Sequence, residues 1–115
     1  MTRGSDDDKL YASHIIECID NINADIASDS RRIETNRTIR DSVLRNLQIM
    51  AESSQRLSDE FKASFHEIPW EQIAGFRNRL AHDYFRIDLM IVRNIVENHL
   101  VPLRNAMNRA LKPSS

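Results

Sequence analysis

The sequence predicts an all-α fold, an up-and-down four-helix bundle, and three observations support this prediction. Apolar residues make up 41% and charged residues 29% of the 115 residues, which is typical of a soluble globular chain. The chain has 2 Gly and 3 Pro, too few for the turns that a β-sandwich or barrel needs roughly every 8–12 residues. Apolar residues recur every three or four positions in four segments, which is the period of an amphipathic helix. This length fits one domain, residues 1–115.

The first predicted helix covers residues 10–26. Its apolar stripe consists of Leu10, Tyr11, His14, Ile15, Cys18, Ile19, Ile22 and Ile26. The polar, acidic residues before it predict a flexible N-terminus at about residues 1–8, although Asp6, Asp7 and Asp8 would also suit the first turn of a helix. The stretch SDSRRIET at residues 28–35 interrupts the pattern and predicts a loop with capping residues.

The second predicted helix covers residues 39–61. Its apolar positions are Ile39, Val43, Leu44, Leu47, Met50, Ala51, Leu57 and Phe61. Opposite charges four residues apart, Asp41 with Arg45 and Glu52 with Arg56, support a helix on its polar face. We also expect Glu52 to reach the third helix and pair with an arginine there.

The third predicted helix follows Pro69, runs from Trp70 to about residue 84, and has Trp70 packed at the bundle end or a dimer interface. After a short connector, Asp88 is a suitable N-cap for a fourth helix. The apolar positions of that helix are Leu89, Val92, Ile95, Val96, Leu100, Leu103 and Met107. Pro102 is expected to kink or break it. A bundle this small buries only about two-thirds of its unfolded surface, which favours a homodimer that shares apolar helix faces.

Charge and cysteine content exclude several classes of protein. The net charge of −1 gives no general attraction to nucleic acid or membranes. The apolar runs are too short for a transmembrane helix or a signal peptide. The single cysteine, Cys18, cannot form an internal disulfide, so we expect a cytoplasmic protein, with Cys18 acting as a small buried hydrophobe.

The densest group of candidate functional residues is the string RNRLAHDY, residues 77–84. Successive residues of a helix are about 100° apart around its axis. If Arg77 is set at 0°, Asn78 lies near 100°, His82 near 140° and Tyr84 near −20°, which is roughly one side of the helix. Arginine binds phosphate oxygens with a planar fork of donors, and histidine accepts and donates protons near neutral pH. The set therefore suits RNA cleavage without a metal, although the same spacing arises by chance in structural helices.

Other residues offer weaker sites. His14 is expected to be a packed core or interface histidine. No Cys pair, His pair or carboxylate cluster has the spacing of metal ligands, so we predict no metal site and no cofactor. The basic residues are 13 Arg and 3 Lys, a bias toward the residue that binds phosphate in a fork. Arg79 and Arg86 are therefore expected to contact RNA, and Arg93 to extend the same patch.

The segment IPWEQIAGFRNRLAHDYFRID, which starts at residue 68, resembles the signature of HEPN-domain toxins of the HepT family. The family motif R-x4-H-x-Y is matched by Arg77, His82 and Tyr84. The resemblance extends to DDKLYASHIIECIDNI in the first helix, to IMAESSQRLS at residues 49–58, and to HLVPL in the last helix. It thus covers about residues 6–110. Ala51 departs from the glycine typical of the second segment.

The resemblance implies a HEPN bundle that acts as a dimeric, metal-independent endoribonuclease. It implies that Arg77 binds the scissile phosphate, that His82 is the general acid and base, and that Asn78 helps to position the substrate. Attack by the 2′-hydroxyl would leave a cyclic phosphate and a 5′-hydroxyl on tRNA or mRNA. The expected partner is an MNT-type nucleotidyltransferase antitoxin, which would neutralise the toxin by transferring AMP to Tyr84.

Two other functions stay open from the sequence. In the first, the chain is a non-catalytic helical partner of the nucleotidyltransferase, with Tyr84 as a docking or modification site. Alternatively, it is a nucleotide-binding accessory subunit in which Arg77 holds a nucleotide phosphate.

Overall fold

The computed structural model describes residues 5–112, and within them the chain forms seven α-helices and one 3-10 turn. The helices are α1 (Ser5–Ile26), α2 (Arg32–Thr35), α3 (Arg37–Gln55), α4 (Asp59–Ser64), α5 (Trp70–His82), α6 (Leu89–Asn98) and α7 (Leu100–Leu111); the turn is Tyr84–Arg86. No strand occurs in this part of the chain, so the predicted all-α fold is confirmed. Among the same residues, no helix combines the length and the apolar character needed to cross a membrane.

α1 is the central helix of the bundle, packed against both α3 and α7. α5 packs on α3, and α6 packs on α7 and on the short α2. The apolar stripe of α1 faces inward, and Ile15, Ile19 and Ile22 have no exposed surface. Burial of each such side chain favours folding by about 1.5–3 kcal/mol. If α6 and α7 are counted as one interrupted helix, the bundle has four long elements: α1, α3, α5 and α6–α7.

Polar contacts fix the antiparallel register of α1 and α3. Near the start of α1, the Asp8 carboxylate accepts hydrogen bonds from the Ser58 backbone N–H at 2.8 Å and from the Ser58 hydroxyl at 2.7 Å. Further along, Asn21 donates to Asn46 at 3.2 Å. α1 already includes residues 5–8, and Asp8 is 7% exposed, so the alternative that Asp6, Asp7 and Asp8 belong to the first turn of a helix describes this part of the chain. Residues 1–4 of the predicted flexible N-terminus lie outside the described residues.

The second predicted helix is divided in two. α3 ends at Gln55, where the backbone N–H of Arg56 bonds to carbonyls of the preceding turn. Ser58 then caps α4 by accepting a hydrogen bond from the Phe61 backbone N–H at 3.1 Å. A continuous helix to residue 61 was the wrong prediction because Leu57 and Phe61 still face the core across the turn, so the apolar spacing hides the break.

Residues 28–35 are more ordered than the predicted loop. They contain α2, whose Ile33 is fully buried and holds the segment against α3. The side chain of Asn36 caps α3 by accepting a hydrogen bond from the Ile39 backbone N–H at 3.0 Å. Arg40 donates to two backbone carbonyls of α2 at 3.0 and 2.9 Å. One buried apolar residue and one carbonyl-binding arginine therefore order a polar stretch.

The last third of the chain follows the prediction closely. α5 ends at His82, two residues earlier than expected. Asp88 caps α6 by accepting a hydrogen bond from the Met90 backbone N–H at 2.9 Å, as predicted. The final helix breaks at His99. Pro102 explains this break, since it lacks the N–H that would bond to residue 98 and its ring crowds that carbonyl.

Cys18 is a core residue, as predicted. Its side chain is 5% exposed and belongs to the cluster of buried apolar residues. Burial, together with the nearby negative charge of Glu17 as the smaller cause, raises the pKa of the Cys18 thiol to about 11. A thiol with a raised pKa is a poor nucleophile at neutral pH, because little of it is ionised.

Candidate functional site

α5 presents the candidate residues and is anchored at both ends. At its start, the Trp70 indole N–H donates to the carbonyls of Lys62 and Phe65, both at 3.1 Å. Trp70 therefore packs at the bundle end, one of its two predicted positions. Toward the end of the helix, Leu80 is 2% exposed and packs into the core. Because Leu80 fixes the inner face, the last two turns of α5 turn their polar residues toward solvent.

Arg77 is the most constrained residue of the motif. Its guanidinium Nη2 lies 3.7 Å from Glu52 Oε2, and its Nη1 donates to Asn78 Oδ1 at 3.3 Å. The Arg77 side chain is 35% exposed, so part of it is open to solvent. The expected pairing of Glu52 with an arginine of α5 is confirmed. Glu52 and Asn78 therefore orient the Arg77 guanidinium, a group whose planar donors are suited to phosphate oxygens.

His82 is the last residue of α5 and is exposed. The adjoining residue ends the helix, since the Asp83 backbone N–H bonds to the Arg79 carbonyl at 2.7 Å. The sequence placed His82 one turn from Asn78, and the regular helix through residue 82 retains this spacing. An accessible imidazole on the same helix as an oriented guanidinium has the chemistry that proton transfer at a phosphodiester requires.

Tyr84 departs from the predicted helical arc. It lies beyond the end of α5, in the 3-10 turn, and is half-buried. Its pKa is raised first by burial and then by the neighbouring Asp41 carboxylate of α3. The arc was wrong for this residue because the helix ends at His82, and the turn directs the phenol toward α3.

A pocket of about 440 Å³ lies between the first half of α3 and the segment that follows α5. Its lining residues are Arg37, Arg40, Asp41, Leu44, Arg45, Tyr84, Phe85, Ile87 and Leu89. The sequence did not predict that Arg37, Arg40 and Arg45 line a pocket. The spacing of Asp41 and Arg45 predicted a helix-supporting pair, whereas the ion pair present joins Asp41 to Arg37, at 4.0 Å. Three arginines on one segment of α3 were the available signal.

The arginines outside the motif have different surroundings. Arg79 and Arg86 are exposed, as residues that contact RNA must be. Arg93 forms ion pairs with Glu34 at 2.7 Å and with Glu97 at 3.3 Å. The expectation that Arg93 extends the basic patch is therefore wrong, because two carboxylates already neutralise it and tie α6 to α2.

His14 is not a core residue. It is exposed and lies edge-on to Tyr11, with 6.2 Å between ring centroids. At about 100° per residue, His14 falls beside the stripe formed by Ile15, Ile19 and Ile22 rather than within it. The predicted core position is wrong, and a role at an interface stays a prediction.

A second, more apolar groove of about 650 Å³ separates α5 from α6 and α7. Its lining includes Ile73, Phe76, Ile91 and Ile95. Arg79 of the motif helix borders it, as does Gly75, where an added Cβ would have no heavy atom within 4 Å. The groove therefore has free space beside the motif helix.

Residues 5–112 bring together no group of three or more His, Cys, Asp or Glu side chains that could hold a metal ion.

Comparison with known proteins gives a consistent result. A family profile described as "Ribonuclease HepT-like" matches residues 12–110. A "putative RNase" of Methanocaldococcus jannaschii is 33% identical over 76 residues, which are 66% of this chain and 70% of that protein. A "probable ribonuclease HepT" of Thermococcus cleftensis is 31% identical over 71 residues, 62% of this chain and 64% of that protein.

A longer relative from Methanocaldococcus jannaschii, named "gamma-glutamylcyclotransferase and putative RNase", is 28% identical over 108 residues. The match covers 92% of this chain and 48% of that protein, so the chain spans about half of its length. No solved structure matches the chain significantly.

Proposed function

Because the chain belongs to the HepT-like ribonuclease family, we propose that it is a metal-independent endoribonuclease, the toxin of a toxin–antitoxin pair. The observation that carries the proposal is the state of Arg77. This half-buried guanidinium is oriented by Glu52 and Asn78 while the accessible imidazole of His82 lies on the same helix. An arginine that binds phosphate must remain accessible, and the partial exposure of the Arg77 side chain meets this requirement.

The reaction follows from the chemistry of these groups. The 2′-oxygen of RNA attacks the adjacent phosphorus and the bond to the 5′-oxygen breaks, leaving a 2′,3′-cyclic phosphate and a 5′-hydroxyl. His82 takes the proton from the attacking hydroxyl or supplies one to the leaving oxygen. Arg77 offsets the negative charge that develops on the phosphoryl oxygens. Asn78 positions Arg77, and no step requires a metal.

A homodimer completes the site in this proposal. One imidazole cannot serve as base and acid in the same step, whereas two facing copies supply both groups. The apolar groove between α5 and α6–α7 supports this arrangement, because the motif helix forms one of its walls. Ile91 and Met90 of α6 are 40% and 73% exposed, and a second copy would cover such apolar surface. Arg79 lines the same groove, which brings basic residues of both copies toward one RNA strand.

Regulation is proposed to occur at Tyr84. An MNT-type nucleotidyltransferase antitoxin would transfer AMP from ATP to the phenol oxygen, which loses its proton while pyrophosphate leaves. The product carries a phosphodiester and a nucleoside beside the groups that bind substrate. Added bulk and negative charge at this point exclude the RNA phosphate, which explains neutralisation in physical terms. The RNA substrate is tRNA or mRNA.

The test is induced expression in cells, with growth and RNA integrity followed for wild type, Arg77→Ala, His82→Ala and Tyr84→Phe. His66→Ala is the matched control, because His66 is exposed and lies outside α5. We expect wild type, the control and Tyr84→Phe to arrest growth and cleave RNA, and both motif variants to lose at least about a hundredfold in cleavage rate. With the antitoxin present, Tyr84→Phe should stay toxic.

Unchanged RNA in every culture would contradict the nuclease. The chain would then be a non-catalytic partner of the nucleotidyltransferase or a nucleotide-binding subunit. Antitoxin binding by the His82→Ala protein separates loss of activity from loss of folding.

A further inference from the structure

The face of α3 that meets the end of α5 carries a row of charged residues. Arg37, Asp41, Arg45 and Glu52 lie within about 80° of one another around the helix, at about 100° per residue. Two contacts set how α5 lies along this row. Arg77 of α5 pairs with Glu52 of α3 at 3.7 Å. Tyr84, which follows Arg77 by seven residues, lies beside Asp41, which precedes Glu52 by eleven residues. α5 and the turn after it therefore run antiparallel to α3.

This register places Arg45 close to the motif. Along the axis of α3, Arg45 is about 6 Å from Asp41 and about 10 Å from Glu52, at 1.5 Å per residue. It therefore lies between the level of Tyr84 and the level of Arg77. Arg37 continues the row in the other direction, past Asp41. The pocket around Tyr84 is thus a continuation of the surface on which Arg77 meets α3.

The arginines of this pocket are not equivalent. Arg40 is committed to the fold, since it donates to the carbonyls of Ile33 and Glu34. Arg37 has one long ion pair, at 4.0 Å, and its side chain is 88% exposed. Arg45 is exposed and makes no ion pair within residues 5–112. Arg37 and Arg45 are therefore able to bind an incoming anion, and a single carboxylate, Asp41, opposes them.

Phe85 supplies a different kind of surface. It is 98% exposed, and its ring meets the Tyr84 ring edge-on with 5.5 Å between centroids. Packing within the described chain does not account for a phenylalanine in this state. An exposed aromatic ring next to arginines is the usual combination for binding single-stranded nucleic acid, since the ring stacks on a base while the arginines contact the backbone.

We propose that Arg37, Arg45 and Phe85 form a subsite for one nucleotide of a single RNA strand, adjacent to the strand position held by Arg77 and His82. Arg37 and Arg45 bind its phosphate and Phe85 stacks on its base. The pocket volume of about 440 Å³ is within the range that small-molecule ligands occupy. The choice of RNA rests on the proposed function. The subsite also explains why a group attached to Tyr84 would block the substrate, because Tyr84 lines the same pocket.

The experiment measures binding of a fluorescent single-stranded 2′-O-methyl RNA, which lacks the attacking hydroxyl and is not cleaved. Anisotropy titrations at several salt concentrations compare wild type with Arg37→Gln/Arg45→Gln and with Phe85→Ala. The matched control is Lys9→Gln/Lys112→Gln, which removes the same charge from two exposed residues outside the pocket. Circular dichroism melting curves verify that each variant is folded.

We expect the double arginine variant to bind about tenfold more weakly. The slope of log K against log salt concentration should be smaller in magnitude by about one to two. Phe85→Ala should weaken binding with the salt dependence unchanged, and the lysine control should bind like wild type. Equal binding by the arginine variant and the lysine control would overturn the subsite. So would wild-type protein that binds free AMP but not the oligonucleotide.

Cleavage of the unmodified RNA separates this inference from the proposed function. If wild type binds RNA through the pocket but does not cleave it, the nuclease proposal fails and the subsite stands. If wild type and the double arginine variant cleave RNA with equal kcat/KM, the subsite fails and the nuclease stands.

Discussion

Arg77 shows how a weak contact orients a side chain without holding the fold together. Its ion pair with Glu52 is 3.7 Å long, and both side chains are partly exposed. Such pairs contribute about 0–1 kcal/mol. We therefore expect Glu52→Gln to leave the free energy of unfolding within about 0.5 kcal/mol of wild type. RNA cleavage should fall about tenfold, because a misplaced guanidinium binds the transition state poorly.

Urea denaturation and cleavage assays on Glu52→Gln check this expectation. Glu60→Gln, at an exposed glutamate of α4, is the matched control. Cleavage by Glu52→Gln at the wild-type rate would show that Arg77 needs no help from α3.

Cys18 makes stability depend on pH in the alkaline range. The pKa of its thiol rises from 9.0 to about 11 in the folded chain. Below pH 9 the thiol is neutral in both states, and the contribution of its burial is fully present. As the pH rises toward 11 the unfolded thiol ionises first, so that contribution is lost. We expect the free energy of unfolding in urea to fall over this window by about 2 kcal/mol more in wild type than in Cys18→Ala. Parallel curves for the two proteins would contradict this.

At the residue scale, the sequence predicted what one helix determines and missed what two helices determine. The contact of Glu52 with an arginine of α5 was predictable, because both residues lie on polar faces of regular helices. The position of Tyr84 was not, because it depends on the helix ending at His82 and on the path of the turn. The position of Arg45 in the pocket was not predictable for a related reason, since no spacing within α3 reveals that the turn after α5 lines the same pocket.

At the element scale, Asp8 and Ser58 connect the start of α1 to the start of α4. Asp8 is 7% exposed and accepts two hydrogen bonds from Ser58, whose hydroxyl also caps α4. Removal of this carboxylate leaves the Ser58 N–H without its acceptor. We expect Asp8→Ala to lower the free energy of unfolding by about 1–3 kcal/mol, measured by urea denaturation. The exposed neighbour Asp7 is the control, and Asp7→Ala should change stability by less than about 0.5 kcal/mol. Equal effects of both substitutions would contradict the role of Ser58.

The helices themselves were predictable because their apolar faces keep a strict period. The break at His99 was predictable as well, since Pro102 forces it by removing a hydrogen-bond donor. The division between α3 and α4 was not, because Leu57 stays in phase with the residues before it. α2 was missed because one buried residue, Ile33, is too short a signal to establish a period. Apolar spacing thus defines which face is buried, and caps define where each helix ends.

At the scale of the whole molecule, the bundle is extended, measuring 47 × 29 × 20 Å. Its radius of gyration of 14.3 Å is slightly larger than the roughly 13 Å expected for a compact chain of this length. The groove between α5 and α6–α7 has a volume of about 650 Å³. A second copy in this groove would cover apolar side chains that one copy leaves in water.

Ile91 tests this arrangement, because it lines the groove and is 40% exposed. A glutamate there stays hydrated in a monomer but must lose water in a dimer, so Ile91→Glu should separate the copies without unfolding either one. In sedimentation experiments at micromolar concentration, we expect wild type at twice the chain mass of 13.4 kDa and the variant at the mass of one chain. Leu10→Glu, at a 50% exposed residue outside the groove, should sediment like wild type. The rate of RNA cleavage should fall with the fraction of dimer, because a single copy has one imidazole for two proton transfers. A monomeric wild-type protein that cleaves RNA at full rate would rule out the shared site.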